Sequence, residues 1–150
     1  MDSLVQTPER RALRDTVHAF TTREVLPHLD GWEEAGEIPR TLHRQAAAAG
    51  LLGIGMDPSV GGSGGDALDS LVLTEQLLLS GGSGGLVAGL LTHAIALPHI
   101  VASGAGDQID MVVRPVLAGE AIAALAVTEP DGGSDVAALR TTAARDGDDY

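Results

Sequence analysis

Cysteine is absent from this 150-residue chain, so no disulfide framework and no thiolate metal site can form. That absence fits a reducing compartment, and a cytoplasmic location is expected. Aromatic residues are almost missing as well, with Phe20, Trp32 and Tyr150 the whole set. The core must therefore be built from Ala, Leu, Val and Ile. Positive charge is scarce: Lys and Arg number 9 against 21 Asp and Glu, a net charge of −12. Such a surface repels nucleic acid and anionic membranes, and no basic block offsets it. The opening Met-Asp-Ser-Leu lacks a basic stretch and an apolar core, so no secretory signal is expected there. The longest nearly apolar run, 86–102, is interrupted by Gly89, His93, Pro98 and His99. It falls short of the ~20 residues of a bilayer span and reads as a buried central helix, with no membrane span expected.

What is present points to helices first. A hydrophobic content of 44% is ordinary for a globular chain. The length suits one domain, or one domain and part of a second. Thr7-Pro8-Glu9 is a helix start: hydroxyl cap, proline in the first turn, acid at the positive end of the dipole. Leu13, Val17 and Phe20 follow at helical spacing, and Pro27 ends the helix near Val25 or Leu26. The acidic segment 30–37 reads as a loop whose Trp32 packs over helix ends. Ile38-Pro39 opens a second helix, closed by Gly50 with Leu51 folding back. Asp66 should cap a third, with Leu68, Leu71, Val72, Leu78 and Leu79 on its buried face and Glu75 at the edge. Asp107 should cap a short helix, 108–117, stressed by Pro115 and stopped by Gly119.

Gly-Gly-Ser-Gly-Gly occurs twice, at 61–65 and 81–85. Neither tract follows a strand or carries a phosphate-loop lysine, so both read as flexible connectors. His93 and His99 lie six apart without a nearby carboxylate. That is poor spacing for a metal pair, and no metal site is expected.

The most informative stretch is 122–135. Ile122, Ala124, Ala126 and Thr128 alternate with Ala123, Leu125 and Val127, the period of a strand. Pro130 has no N–H for a ladder and should end it. Asp131-Gly132-Gly133 then turns the chain. Free N–H groups in such a turn make a concavity suited to a phosphate, and Thr128 and Ser134 add hydroxyls. On residue chemistry alone a plain polar turn and an anion cradle both remain open. A second strand is expected over 139–144, with Asp146-Gly147 as a hairpin turn and a returning strand in 148–150.

The run Leu125-Ala-Val-Thr-Glu-Pro-Asp-Gly-Gly-Ser134-Asp135 resembles the flavin-binding segment of the acyl-CoA dehydrogenases, whose usual form is Thr/Ser-Glu-Pro-x-x-Gly-Ser-Asp. All six fixed positions match. The resemblance extends over essentially the whole chain, with weaker support at Gly119-Glu120 and Gly50-Leu51-Leu52-Gly53. It implies a mainly α architecture: an amino-terminal helical bundle (1–120) followed by the first strands of a β-barrel-like middle domain (121–150). It also implies FAD as cofactor, with Leu125 and Val127 packed near the flavin. Thr128 would bond the ring edge around N5 and O4. Gly133 and Ser134 would hold phosphate, with Ser134 also near the CoA part of the substrate. Asp131 stands where Gly or Asn is commoner and should point outward.

The implied reaction is α,β-dehydrogenation of an acyl-CoA in fatty-acid β-oxidation, in a homotetramer that passes electrons to an electron-transferring flavoprotein. The family's catalytic glutamate belongs to a carboxy-terminal helical domain, so no catalytic residue is nominated in 1–150. Glu129 is expected to make local hydrogen bonds. Leu90, Leu91, Ala94 and Leu97 are candidates for an acyl-pocket wall. An acyl-CoA oxidase or flavin monooxygenase on the same fold stands as an alternative. A non-catalytic helical interaction module and a small-molecule binding domain are the others.

Overall fold

The computed structural model describes residues 6–147; the opening Met-Asp-Ser-Leu and the returning strand of 148–150 lie outside them. The described chain is mainly helical. Helix α1 (Pro8–Phe20) starts as its sequence requires: Thr7 Oγ1 accepts from Arg10 N at 3.2 Å. It continues through a wider π-type turn, Thr21–Val25, and stops before Pro27. Segment 30–37, expected to be a loop, contains helix α2 (Leu29–Ala35) instead. Its start has no side-chain cap to signal it, and Leu29 and Trp32 pack on the core, so tertiary burial drives this helix. Helix α3 (Arg40–Ala48) ends as expected, with Gly50 at φ +75° and Leu51 N bonding back to Ala46 O at 2.9 Å.

Helix α4 (Ala67–Leu79) lies beside α1 and runs in the same direction. Three polar links mark the pairing, between Arg10 and Asp69 (2.8 Å), Arg14 and Glu75 (2.7 Å), and His18 and Ser80 (3.1 Å). These links fix the rotation of α4. Val72, Leu73 and Leu77 face inward, whereas Leu71, Leu78 and Leu79, expected inside, are exposed. Its leucines are spread around the helix rather than gathered in one stripe, so hydrophobicity alone does not choose a face; the polar links to α1 do. Arg10 also reaches Asp66 at 2.8 Å. The two aspartates meanwhile cap the helix reciprocally, Asp66 accepting from Asp69 N at 3.1 Å and Asp69 from Asp66 N at 2.8 Å.

The first glycine tract is not a flexible connector. Ser63 N donates to Gly53 O at 2.8 Å and Gly64 N to Met56 O at 2.9 Å. A Cβ on Gly62 would stand 2.1 Å from Met56 O. The loop is folded onto itself at a separation only glycine permits. In the second tract Ser83 caps the next helix, accepting from Leu86 N at 2.9 Å.

Helices α5 (Gly84–Leu91) and α6 (His93–Ser103) follow each other through Thr92, whose backbone stays helical. Together they form a rod of 20 residues, long and apolar enough by composition to cross a bilayer, which corrects the shorter apolar run inferred above. Its inner side belongs to a packed core: Leu86, Leu90, Ala96 and Leu97 are buried. Its outer side is exposed at Ile95 rather than covered by neighbours. The last helical run is α7 (Gly106–Gln108), a π-type turn (Ile109–Val113) and α8 (Arg114–Leu117). Asp107 sits in its first turn rather than capping it. Pro115 contributes no N–H, and the widened turn just before it accommodates the missing bond.

Two apolar clusters hold the assembly. The larger joins α1, α3, α4 and α5 through Val17, Phe20, Leu42, Leu73, Leu77 and Leu86. The smaller joins Val60, Leu97, Val113, Val116 and Leu117, with Ala121 and Ala123 packed against it. Burying each Leu of this kind is worth about 1.5–3 kcal/mol.

Both expected strands are absent as ladders: among the described residues only isolated bridges occur, Ile54 to Gly64 and Glu129 to Gly132. Among the described residues, 122–128 and 139–145 belong to no helix and no ladder. An extended segment needs a neighbour for its N–H and C=O groups, and the described residues supply none to these. Gly147 does take a left-handed φ of +65°, as the Asp146-Gly147 turn requires.

Candidate functional site

Gly119 launches the candidate site. Its φ is +73°, and a Cβ there would lie 2.5 Å from His43 O and 2.8 Å from Arg44 Cα. The chain turns off α8 in contact with α3, then lays Ala121 and Ala123 on the smaller core. Beyond them it leaves the body of the protein: Leu125 is exposed and Val127 half-buried.

The turn after Thr128 is closed twice. Glu129 N donates to Gly132 O at 2.9 Å, and Gly132 N to Glu129 O at 3.2 Å. The Glu129 side chain then reaches across the loop. Its Oε2 accepts from Arg140 N at 2.9 Å, and its Oε1 from Thr141 N at 2.7 Å and from the Thr141 hydroxyl. The Thr141 hydroxyl, then the two backbone N–H groups, hold this carboxyl below the usual carboxylate range against a small desolvation effect. Local hydrogen bonding was the role expected of Glu129. Asp131 points outward as anticipated, 76% exposed, with the Arg140 guanidinium 3.4 Å away. The involvement of Arg140 and Thr141 is not signalled by the sequence, since no periodic pattern links positions 11 and 12 residues apart.

Among the described residues no hydrogen bond engages the hydroxyls of Thr128 or Ser134 or the N–H groups of Gly133 and Ser134. Gly133 lies next to Thr128, its Cβ position 3.8 Å from Thr128 Cγ2. The loop therefore presents donors with no internal partner, and the acid in its turn is drawn toward a guanidinium. That arrangement can accept an anionic, oxygen-rich ligand.

A second feature is an apolar groove of about 310 Å³ between α4 and the α5–α6 rod, lined by Leu73, Thr74, Val87, Leu91, Ala94 and Ile95. Of the candidate wall residues, Leu91 and Ala94 line it, whereas Leu90 and Leu97 are buried in the two cores. His93 borders the groove, its Nε2 2.8 Å from Leu52 O. Burial lowers its pKa, offset by hydrogen bonds to the carbonyls of Leu52 and Leu90 and reinforced by nearby His43. His99 is exposed on the same helix. Among the described residues no group of three or more His, Asp or Glu side chains could hold a metal ion.

Fold and site together describe a helical domain that feeds an extended segment and a loop suited to phosphate. Comparison with known proteins gives that description a family. Residues 7–120 match the family model for the acyl-CoA dehydrogenase N-terminal domain, and the chain belongs to the acyl-CoA dehydrogenase family. It is 38% identical over 143 residues to the mitochondrial long-chain specific acyl-CoA dehydrogenase of Rattus norvegicus, covering 95% of this chain and 33% of that protein. It is 33% identical to the CarC subunit of the caffeyl-CoA reductase–Etf complex of Acetobacterium woodii, covering 94% of this chain and 36% of CarC.

Among solved structures, one from Mycobacterium smegmatis described as an acyl-CoA dehydrogenase superposes with a TM-score of 0.93 at 57% identity, over 96% of this chain and 38% of its own. A glutaryl-CoA dehydrogenase from the same organism, in complex with FADH2, superposes at 0.78 with 25% identity, over 97% and 37%. The chain thus spans roughly a third of the length of the proteins it matches.

Proposed function

We propose that this chain is the amino-terminal portion of an FAD-dependent acyl-CoA dehydrogenase that oxidises an acyl-CoA thioester at its α,β bond. The observation that carries the reading is continuity. The family match ends at residue 120, and the Thr128–Asp135 motif follows at once on a loop whose donors have no internal partner. Positions 1–120 are then the helical domain, and 121–150 the start of a β-domain whose strands pair with chain beyond Tyr150.

The residues present suit FAD. Thr128 donates toward the reactive edge of the ring, and Leu125 and Val127 give it an apolar face. Gly133 and Ser134 offer backbone N–H groups and a hydroxyl to phosphate, with Ser134 also beside the CoA moiety. Asp131, turned toward Arg140, does not oppose an anion there. When bound, FAD supplies the hydride acceptor for such an oxidation, which side chains alone lack. The groove between α4 and the α5–α6 rod takes the acyl chain, with Leu91, Ala94 and Ile95 excluding water. The general base lies outside 1–150.

The homologous FADH2 complex and the Etf-associated relative support the cofactor and an electron-transferring flavoprotein acceptor. A homotetramer in the cytoplasm, acting in fatty-acid β-oxidation, completes the reading. The test is purification of the full-length protein. A flavin spectrum that bleaches when acyl-CoA is added supports the proposal, and a colourless protein unmoved by added FAD refutes it.

A further inference from the structure

We infer that Glu129 is a positioning residue for the flavin site: its ionised carboxylate latches the far limb of the loop and so sets where Thr128, Gly133 and Ser134 stand. The inference rests on the FAD reading above and adds a residue to that site.

Glu129 is adjacent to Thr128, and its backbone closes the turn through Gly132. The same residue's side chain accepts from Arg140 N at 2.9 Å, from Thr141 N at 2.7 Å and from the Thr141 hydroxyl. One residue therefore ties both ends of the segment that carries every proposed ligand-facing donor. Ala121 and Ala123 rest on the smaller core and Arg140 pairs with Asp131, but among the described residues 122–128 and 139–145 join no strand ladder. The latch also holds the backbone of Arg140, whose guanidinium faces Asp131 at 3.4 Å. Releasing it frees the cation that offsets the acid in the turn.

Three donors converge on the carboxylate, and only an ionised carboxylate accepts at both oxygens without presenting a donor of its own. Glutamine at this position would aim an N–H at one of the backbone N–H groups. Valine at position 141 would remove the hydroxyl bond alone and leave the carboxylate and both backbone donors in place.

The test compares the full-length protein with its Glu129→Gln and Thr141→Val variants. FAD affinity is measured by titration of the apoprotein, and the flavin's visible absorption band is recorded at saturating FAD. The expected result is an FAD dissociation constant raised at least about tenfold in E129Q, with a displaced band, because Thr128 loses its place beside the ring. T141V falls between E129Q and wild type. A general loss of stability would lower the fraction of competent protein without moving the band of what binds, so the band separates positioning from folding. A wild-type protein that binds FAD, with both variants within about twofold of it and an identical band, overturns the latch and leaves the flavin reading standing. If E129Q does not fold, T141V decides alone on the same two readouts. A wild-type protein that takes up no FAD overturns the flavin reading and the latch with it.

Discussion

Replacing Gly119 with alanine tests how the helical body hands the chain to the loop. Two separate penalties apply. The first is conformational: Gly119 has φ +73°, and an L-residue held in the left-handed region loses about 1 kcal/mol or somewhat more. The second is steric. A Cβ would stand 2.5 Å from His43 O, 2.7 Å from His43 C and 2.8 Å from Arg44 Cα. All are main-chain atoms within or beside a buried turn of α3, so no flexible side chain can swing away. Overpacking of this kind adds about 1–3 kcal/mol, giving a total of roughly 2–4 kcal/mol.

Gly104 provides the control, with φ +72° and nothing within 4 Å of its Cβ position. Gly104→Ala carries the first penalty alone, about 1 kcal/mol. Urea unfolding of both variants beside wild type measures the difference. G119A should be less stable than G104A by about 1–3 kcal/mol, with unchanged m-values if the denatured state is unaffected. Equal losses in the two variants would refute the claim that α3 leaves no room for a side chain where the chain turns off α8.

Two further outcomes follow from burial. Leu77→Ala, at a fully buried site on α4, should lose about 2–5 kcal/mol in urea unfolding, while Leu79→Ala, 71% exposed on the same helix, should stay within about 0.5 kcal/mol of wild type; reversed values would mean that α4 is rotated. His93 is held below its ordinary pKa of 6.5 by burial, so below that value the unfolded chain binds the proton more tightly and stability falls with pH. Melting temperature should therefore drop more steeply between about pH 7 and 5 in wild type than in His93→Gln, which keeps a donor for Leu52 O; parallel profiles would show that His93 does not carry the effect.

Local signals in the sequence located most helix ends. Thr7, Asp66 and Gly50 each act through atoms within a few residues, so their roles at the ends of α1, α4 and α3 are readable without the fold. Faces were harder to read where composition is uniform. On α4 the rows of leucine permit several rotations, and the one adopted depends on Arg10 and Arg14, more than fifty residues earlier. Helix α2 is hard to read for a related reason: no side chain caps its start, and what holds it is the partial burial of Leu29 and Trp32 against the larger core. The strands depend on a different condition. Alternation over 122–128 records a preference for two-sided cover, but a ladder needs a partner that the described residues do not include. The loop itself was legible as a motif, yet its closure by Glu129 was not, because a contact spanning 12 residues has no sequence signature.

The chain's charge bears on how the proposed site would work. At −12 the chain's general field repels FAD and CoA, both anionic, so attraction must come from short-range donors. The loop meets that requirement with neutral groups, namely N–H at Gly133 and Ser134 and hydroxyls at Thr128 and Ser134. Neutral donors act at hydrogen-bond distance and lose their effect when displaced by an ångström or so. A site built from them depends on being held in place more than one built from arginines, whose attraction reaches further. Here much of the holding falls to one carboxylate at the root of the loop, on a segment whose limbs have no strand partner among the described residues. If the loop holds phosphate through neutral donors as proposed, the geometry set by Glu129 matters more than the long-range field of the acidic chain.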